Sequence, residues 1–180
     1  AFQGGAETAL VVGAEIETNV PGRDGIEYMA YAAHYAKQRG LDPFVFPYMF
    51  ARRARAYKST FGATDLDIAR VVEKAYANAN RNPKAHMRSV SMSLEAANTP
   101  SRHNYHFLEN ETLRPHIRLS DCTQFVDGAS AVVLATEAGL EALGRAKSDC
   151  TEILSYGHSV AALGAETDPR FLVNMHRAAR

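Results

Sequence analysis

The sequence predicts an α/β fold in which a sheet is interrupted by a mostly helical insert, and three observations predict it. Two short apolar runs bounded by glycine and turn residues, Thr8-Ala9-Leu10-Val11-Val12-Gly13-Ala14-Glu15 and the stretch from Asp127-Gly128 to Ala135, have the composition of strands buried on both faces. Between them, residues 26–39, 48–58 and 64–80 read as helices. A third run, Cys150-Thr151-Glu152-Ile153-Leu154-Ser155-Tyr156, has the β-branched and aromatic mix of another strand.

After the first strand, Pro21, Gly22, Asp24 and Gly25 turn the chain into a loop. Residues 26–39 then read as a helix, with Tyr28, Tyr31 and Tyr35 at helical spacing and Gly40 as its stop. Pro43 and Pro47 bracket Phe44-Val45-Phe46, and the breaker-free stretch 48–58 predicts a second helix. Thr64 and Asp67 stand in a capping-box relation, and Leu66, Ile68, Val71, Val72 and Ala75 form the apolar stripe of a third helix ending near 80–83. From 89 to 119 the periodicity is poor and Asn, Thr, Ser, His and Pro are frequent, so an irregular surface excursion with one strand is expected. A short helix over 136–145 follows the second sheet strand, and 175–180 reads as the beginning of another.

Twenty basic residues balance twenty acidic ones, so the whole molecule offers no net field to nucleic acid or an anionic membrane. No apolar run approaches the roughly 20 residues that span a bilayer. Two cysteines, Cys122 and Cys150, are too few for a disulfide framework and suit a reducing, intracellular compartment. The chain opens without an initiator Met and closes on a nascent helix, so a longer natural chain is expected.

The strand ending Val12-Gly13-Ala14-Glu15, the turn Ser120-Asp121-Cys122-Thr123-Gln124-Phe125-Val126-Asp127-Gly128-Ala129, and Glu152-Ile153-Leu154-Ser155-Tyr156-Gly157-His158 occur in an order that resembles a thiolase. Asp-Cys-Thr in the turn and the tract Asn82-Pro83-Lys84-Ala85-His86 are similar to the sterol-carrier-protein branch of that family. The resemblance implies a layered αβαβα fold, incomplete in this chain. Residues 1–43 and 121–146 would belong to the amino-terminal thiolase domain, 44–120 to an inserted loop domain, and 147–180 to the start of the carboxy-terminal domain. It implies thiolytic cleavage of 3-ketoacyl-CoA, or the reverse Claisen condensation, by the full-length protein. Acyl-CoA or acetyl-CoA would be the small-molecule partner, a homo-oligomer the assembly, and mitochondrion, peroxisome-like organelle or cytosol the location. No metal or redox cofactor is implied, since acyl transfer needs a cysteine, acid–base groups and oxyanion donors. The family's catalytic cysteines and histidine fall outside these residues, so no catalytic residue is assigned.

What this segment can supply is binding of coenzyme A. Between Phe50 and Ser120 twelve Lys or Arg face six Asp or Glu, which is either a solvated basic surface or a place for phosphates. Arg52, Arg53 and Arg55 lie on the second predicted helix, and guanidinium groups suit phosphate through paired donors. Thr123 occupies the place where the resembling family has a Ser or Thr against the pantetheine arm; the alternative is a hydroxyl capping local backbone. Cys122 reads as a small buried residue rather than a nucleophile. His103, His106 and His116 lack zinc-like partners and read as surface histidines. Asp127 reads as a turn carboxylate holding backbone N–H groups. The rival to the enzyme is a noncatalytic acyl-CoA or lipid-binding protein, and a third option is a scaffold subunit paired with a catalytic chain. Sheet faces left uncovered would drive dimerisation or aggregation.

Overall fold

The computed structural model describes residues 5–162, 168–170 and 172–179, and they form a mixed α/β structure. Its one sheet has two antiparallel strands, β1 (Thr8–Glu15) and β2 (Gly128–Ala135), in register from Thr8 opposite Ala135 to Glu15 opposite Gly128. Both strands lie where the apolar runs place them. Their expected burial on both faces is corrected: the neighbours Leu10 and Val11 are 66% and 53% exposed, and successive strand residues point to opposite faces. Asp127 fastens the end of the ribbon, its carboxylate accepting from Glu17 N and Thr18 N, each at 2.9 Å, and from the Thr18 hydroxyl. The Thr18 hydroxyl, then the backbone N–H groups, hold the Asp127 carboxyl below the usual carboxylate range. The carboxylate therefore works structurally, across more than one hundred residues of chain.

The helix expected over 26–39 is two helices. α1 (Gly22–Met29) starts directly after Pro21, whose carbonyl accepts from Asp24 N and Gly25 N. α2 (Tyr35–Gln38) follows a 3-10 turn at Ala30–Ala32 and an extended Ala33. The break is stabilised by Gln38, whose side-chain oxygen reaches back to His34 N at 2.8 Å and takes up a donor that a helix start leaves unpaired. Across the break Tyr31 and Tyr35 still stack at 4.4 Å, and the Tyr35 hydroxyl donates to Glu27.

α3 (Val45–Phe61) begins earlier than expected, because Pro47 sits in its first turn, where a missing N–H has no intrahelical acceptor to disappoint. Gly62 closes it in the left-handed conformation, φ 70°. α4 (Asp65–Arg81) has the expected capping box: Thr64 Oγ1 accepts from Asp67 N, and Asp67 Oδ2 accepts from Thr64 N at 2.9 Å. Its stripe buries Ala69 and Val72 against Ala97 of α5 (Leu94–Asn98).

The stretch 89–119 is not a surface excursion and contains no strand beyond an isolated Ser101–Asn104 bridge. It supplies Leu108, Leu113 and Ile117, which pack with Ala51 of α3 into the other buried cluster, with Phe44, Tyr48, Phe107 and Cys122 around it. Polar side chains satisfy backbone in and around it: Asp42, from the segment before α3, accepts from Phe44 N and Asn110 N, and Asn104 donates to Ala96 O and Ala97 O while accepting from Ser120 N. Side chains here replace the ladder of a regular element.

The short helix expected at 136–145 is α6 (Glu137–Ala142), capped by the Thr136 hydroxyl. The strand expected at 150–156 is absent: the segment is irregular, with Leu154 and Tyr156 86% and 87% exposed, because strand composition without a pairing partner leaves the backbone unpaired. α7 (Val173–Ala178) forms where the last helix was expected to begin.

Gly139 in α6 is constrained by contact rather than by its torsions. A Cβ at this position would lie 2.1 Å from the backbone carbonyl oxygen of Glu7. Helix propensity alone favours Ala over Gly by about 1 kcal/mol. The steric contact reverses that sign, so Gly139→Ala is expected to destabilise the protein by about 1–3 kcal/mol in urea unfolding. An unchanged or raised midpoint would show that α6 is not seated on the start of β1.

Candidate functional site

A cavity of about 520 Å3 opens between the first turns of α3 and the segment 105–125, a size that holds a substantial small molecule. Its walls are mainly apolar and aromatic: Phe46, Phe50 and Ala54 come from one face of α3, and Phe107, Ile117 and Phe125 from the facing segment. Phe44 and Phe107 meet edge to face at 4.9 Å, which fixes the inner wall. The polar groups in the lining include Glu17, His116, Asp121, Thr123 and Gln124. A smaller cavity of about 410 Å3 lies on the other side of Leu119 and Gln124, which line both.

Arg118 organises the wall that separates them. Its side chain is 3% exposed, and it donates from Nη1 to Asn98 O at 2.8 Å, from Nη2 to Asp65 O at 3.5 Å, and from Nε to Asp121 Oδ2 at 3.4 Å. Arg118 N donates to the same Asp121 oxygen at 2.7 Å. One guanidinium thus joins the start of α4, the end of α5 and the strip 119–125 that carries the site. By sequence Arg118 is one of the basic residues of the insert. Its signal was local: Arg and Asp three residues apart around Leu119-Ser120 can close a tight turn.

Thr123 lines the larger cavity; it is exposed, and its hydroxyl lies 3.5 Å from Gln124 O. Arg52, Arg53 and Arg55 do not line it. They sit on other faces of the same helix, Arg52 and Arg53 half-buried and Arg55 exposed, and none is ion-paired among the described residues. Arg52 Nη1 approaches Met49 Sδ at 3.9 Å. The structure therefore places Thr123 at the cavity and the three arginines on α3 outside its lining.

Two of the three histidines are not surface groups. His106 is half-buried with Nδ1 2.7 Å from Ile117 O, and His116 is half-buried in the cavity wall. Burial, then the charges of Lys58 and Arg55, hold His116 below the usual histidine range, favouring the neutral imidazole. Among the described residues no group of three His, Cys, Asp or Glu could hold a metal ion, and no helix is long and apolar enough to cross a membrane.

Cys122 is a cavity-wall thiol pushed up to about 11 by burial and then by the Asp121 charge. Cys150 is exposed and away from the cavity lining. The sequence matches no protein-family model and no curated protein.

At pH 8 a thiol titrating at about 11 carries thiolate at roughly one part in a thousand. Iodoacetamide is expected to modify Cys150 first and Cys122 on the order of 100-fold more slowly, read by intact mass and peptide mapping. Equal rates, or Cys122 ahead, would contradict the burial and charge assigned to it.

Proposed function

We propose that this chain is the acyl-CoA-binding part of a thiolase-type acyltransferase with a layered thiolase-like fold. The full protein would cleave 3-ketoacyl-CoA thiolytically or run the reverse condensation. The observation that carries the reading is the placement of Thr123, the residue that the resemblance sets against a pantetheine arm, at the lining of an apolar cavity of about 520 Å3. The order of the three motifs supports it, as do Arg52, Arg53 and Arg55 on the helix that walls the cavity, since guanidinium groups suit phosphates. In this reading the apolar part of the ligand occupies the cavity, Thr123 anchors the arm at its mouth, and the arginines meet the charged end. The catalytic thiol of thiolysis is neither Cys122, whose thiolate is suppressed, nor Cys150, which stands apart.

A second reading is a noncatalytic acyl-CoA or lipid-binding protein using the same cavity. Self-association belongs to both readings, since Leu10, Val12, Val132 and Val133 leave apolar sheet surface exposed.

Isothermal titration with dodecanoyl-CoA is expected to give saturable binding to one site. Thr123→Ala should weaken it by roughly 3–10-fold, as for the loss of one hydrogen bond. Replacing Arg52, Arg53 and Arg55 together by Ala should weaken it further at low salt than at high salt, since exposed charges are screened. Absence of binding, or binding indifferent to Thr123 and to all three arginines, would sink both readings. Thiolysis by the full-length protein that survives replacement of Cys122 and Cys150 would establish the enzyme over the noncatalytic binder.

A further inference from the structure

The two cavities share a wall, and at Leu119 and Gln124, which line both, that wall is one residue thick. Its backbone is fixed: Arg118 ties it to α4 and α5, and Leu119 N donates to Tyr105 O at 3.1 Å. The two half-buried side chains are held less firmly. Leu119 has no polar group to anchor it, and Gln124 Nε2 donates to Cys122 O across 3.4 Å, a long bond.

Beyond the wall, the smaller cavity of about 410 Å3 suits an apolar chain better than a polar group. Tyr76, Met87, Val90 and Met92 give it apolar surface, and unbranched methionine side chains adapt to the shape of what they meet. Polar residues in its lining are committed to the protein itself. Asn104 donates to Ala96 O and Ala97 O and accepts from Ser120 N, the Ser101 hydroxyl accepts from His103 N and Asn104 N, and His103 Nε2 accepts from Arg102 Nε. Methylene groups entering there would displace water without stranding these bonds.

We propose that Leu119, with Gln124 beside it, sets the length of acyl chain this protein accepts, by closing the larger cavity off from a smaller one that a longer chain would fill. The proposal rests on the acyl-CoA reading, in which the apolar part of the ligand occupies the larger cavity. Each methylene that finds apolar surface adds to affinity, whereas one that meets the wall is turned back toward water and adds nothing. Affinity therefore climbs with chain length until the cavity of about 520 Å3 is filled, and stops there. Cutting Leu119 to Ala removes the branched end of the side chain from the wall and lets the chain run on into the smaller cavity.

The test is isothermal titration with the even-numbered saturated acyl-CoA series from octanoyl to octadecanoyl, repeated with the free acids. In the unaltered chain affinity is expected to rise roughly 3–10-fold per two carbons and then level off within the series. Leu119→Ala should move the levelling point to longer chains and bind octadecanoyl-CoA on the order of 10-fold tighter than the unaltered chain, with octanoyl-CoA little changed. Gln124→Ala should act in the same direction, and it carries the test if Leu119→Ala does not fold. Ala96 is an exposed residue of α5 in the lining of the smaller cavity, so adding Ala96→Phe to Leu119→Ala should cancel the gain. Affinity that never levels in the unaltered chain, a levelling point unmoved in both single variants, or a gain that survives Ala96→Phe would overturn the proposal while leaving acyl-CoA binding in place. A levelling point that moves among the free acids, with no binding of any CoA thioester, would uphold the wall and remove the coenzyme A reading instead. Absence of binding in both series would overturn both.

Discussion

The buried guanidinium of Arg118 is the constraint on which the helical part of this structure depends. Three pieces of chain that share no regular ladder, the start of α4, the end of α5 and the strip 118–125, meet at one side chain that is 3% exposed. Its role is geometric more than energetic, since a buried ion pair recovers little beyond its desolvation cost. Removing one partner differs from never having had the pair: it strands the other charge and costs about 3–5 kcal/mol. Arg suits the position because its planar donors leave in several directions at once, toward two carbonyls and a carboxylate.

From that anchor the site follows. Arg118 sets the turn at Leu119–Asp121, the turn sets Cys122 against the cluster of Ala51, Leu108, Leu113 and Ile117, and the next residues bring Thr123, Gln124 and Phe125 to the cavity. Asn104 reinforces the same strip from the other side by accepting from Ser120 N. The thiol of Cys122 is consequently a packing element. Burial that makes it useful to the core is what keeps its proton on.

What was legible in the sequence was local chemistry. The capping box of Thr64 and Asp67, both apolar strand segments and the Thr136 helix rest on interactions whose partners are few and whose residue types are distinctive, whereas Asp127 holds backbone N–H groups as expected but those of Glu17 and Thr18, far along the chain, rather than nearby ones. Pro47 misled about where α3 begins, because its effect depends on which turn of the helix it occupies. The stretch 89–119 misled more deeply. Its frequent Asn, Thr, Ser, His and Pro read as solvent-facing, yet Asn104 and, beside it in the fold, Arg118 are buried because their side chains complete backbone hydrogen bonds that no helix or strand completes. Composition carries the polarity of such residues but not the direction they face. The same limit applies to the strands, whose apolar runs specify the extended backbone while their exposure depends on what packs against them. Of the cavity lining, the turn that carries Thr123 is singled out by the sequence; His116 is not, since its half-buried place in the wall comes from how the segment packs on α3.

Hydrogen exchange on Arg118→Met beside the unaltered chain tests the anchoring role most directly. The account predicts that amide protection falls together in the first turn of α4, the last turn of α5 and the strip 118–125, with α3 and the sheet changed far less. Loss of protection confined to the turn at residues 118–121 would contradict it and reduce Arg118 to a local cap.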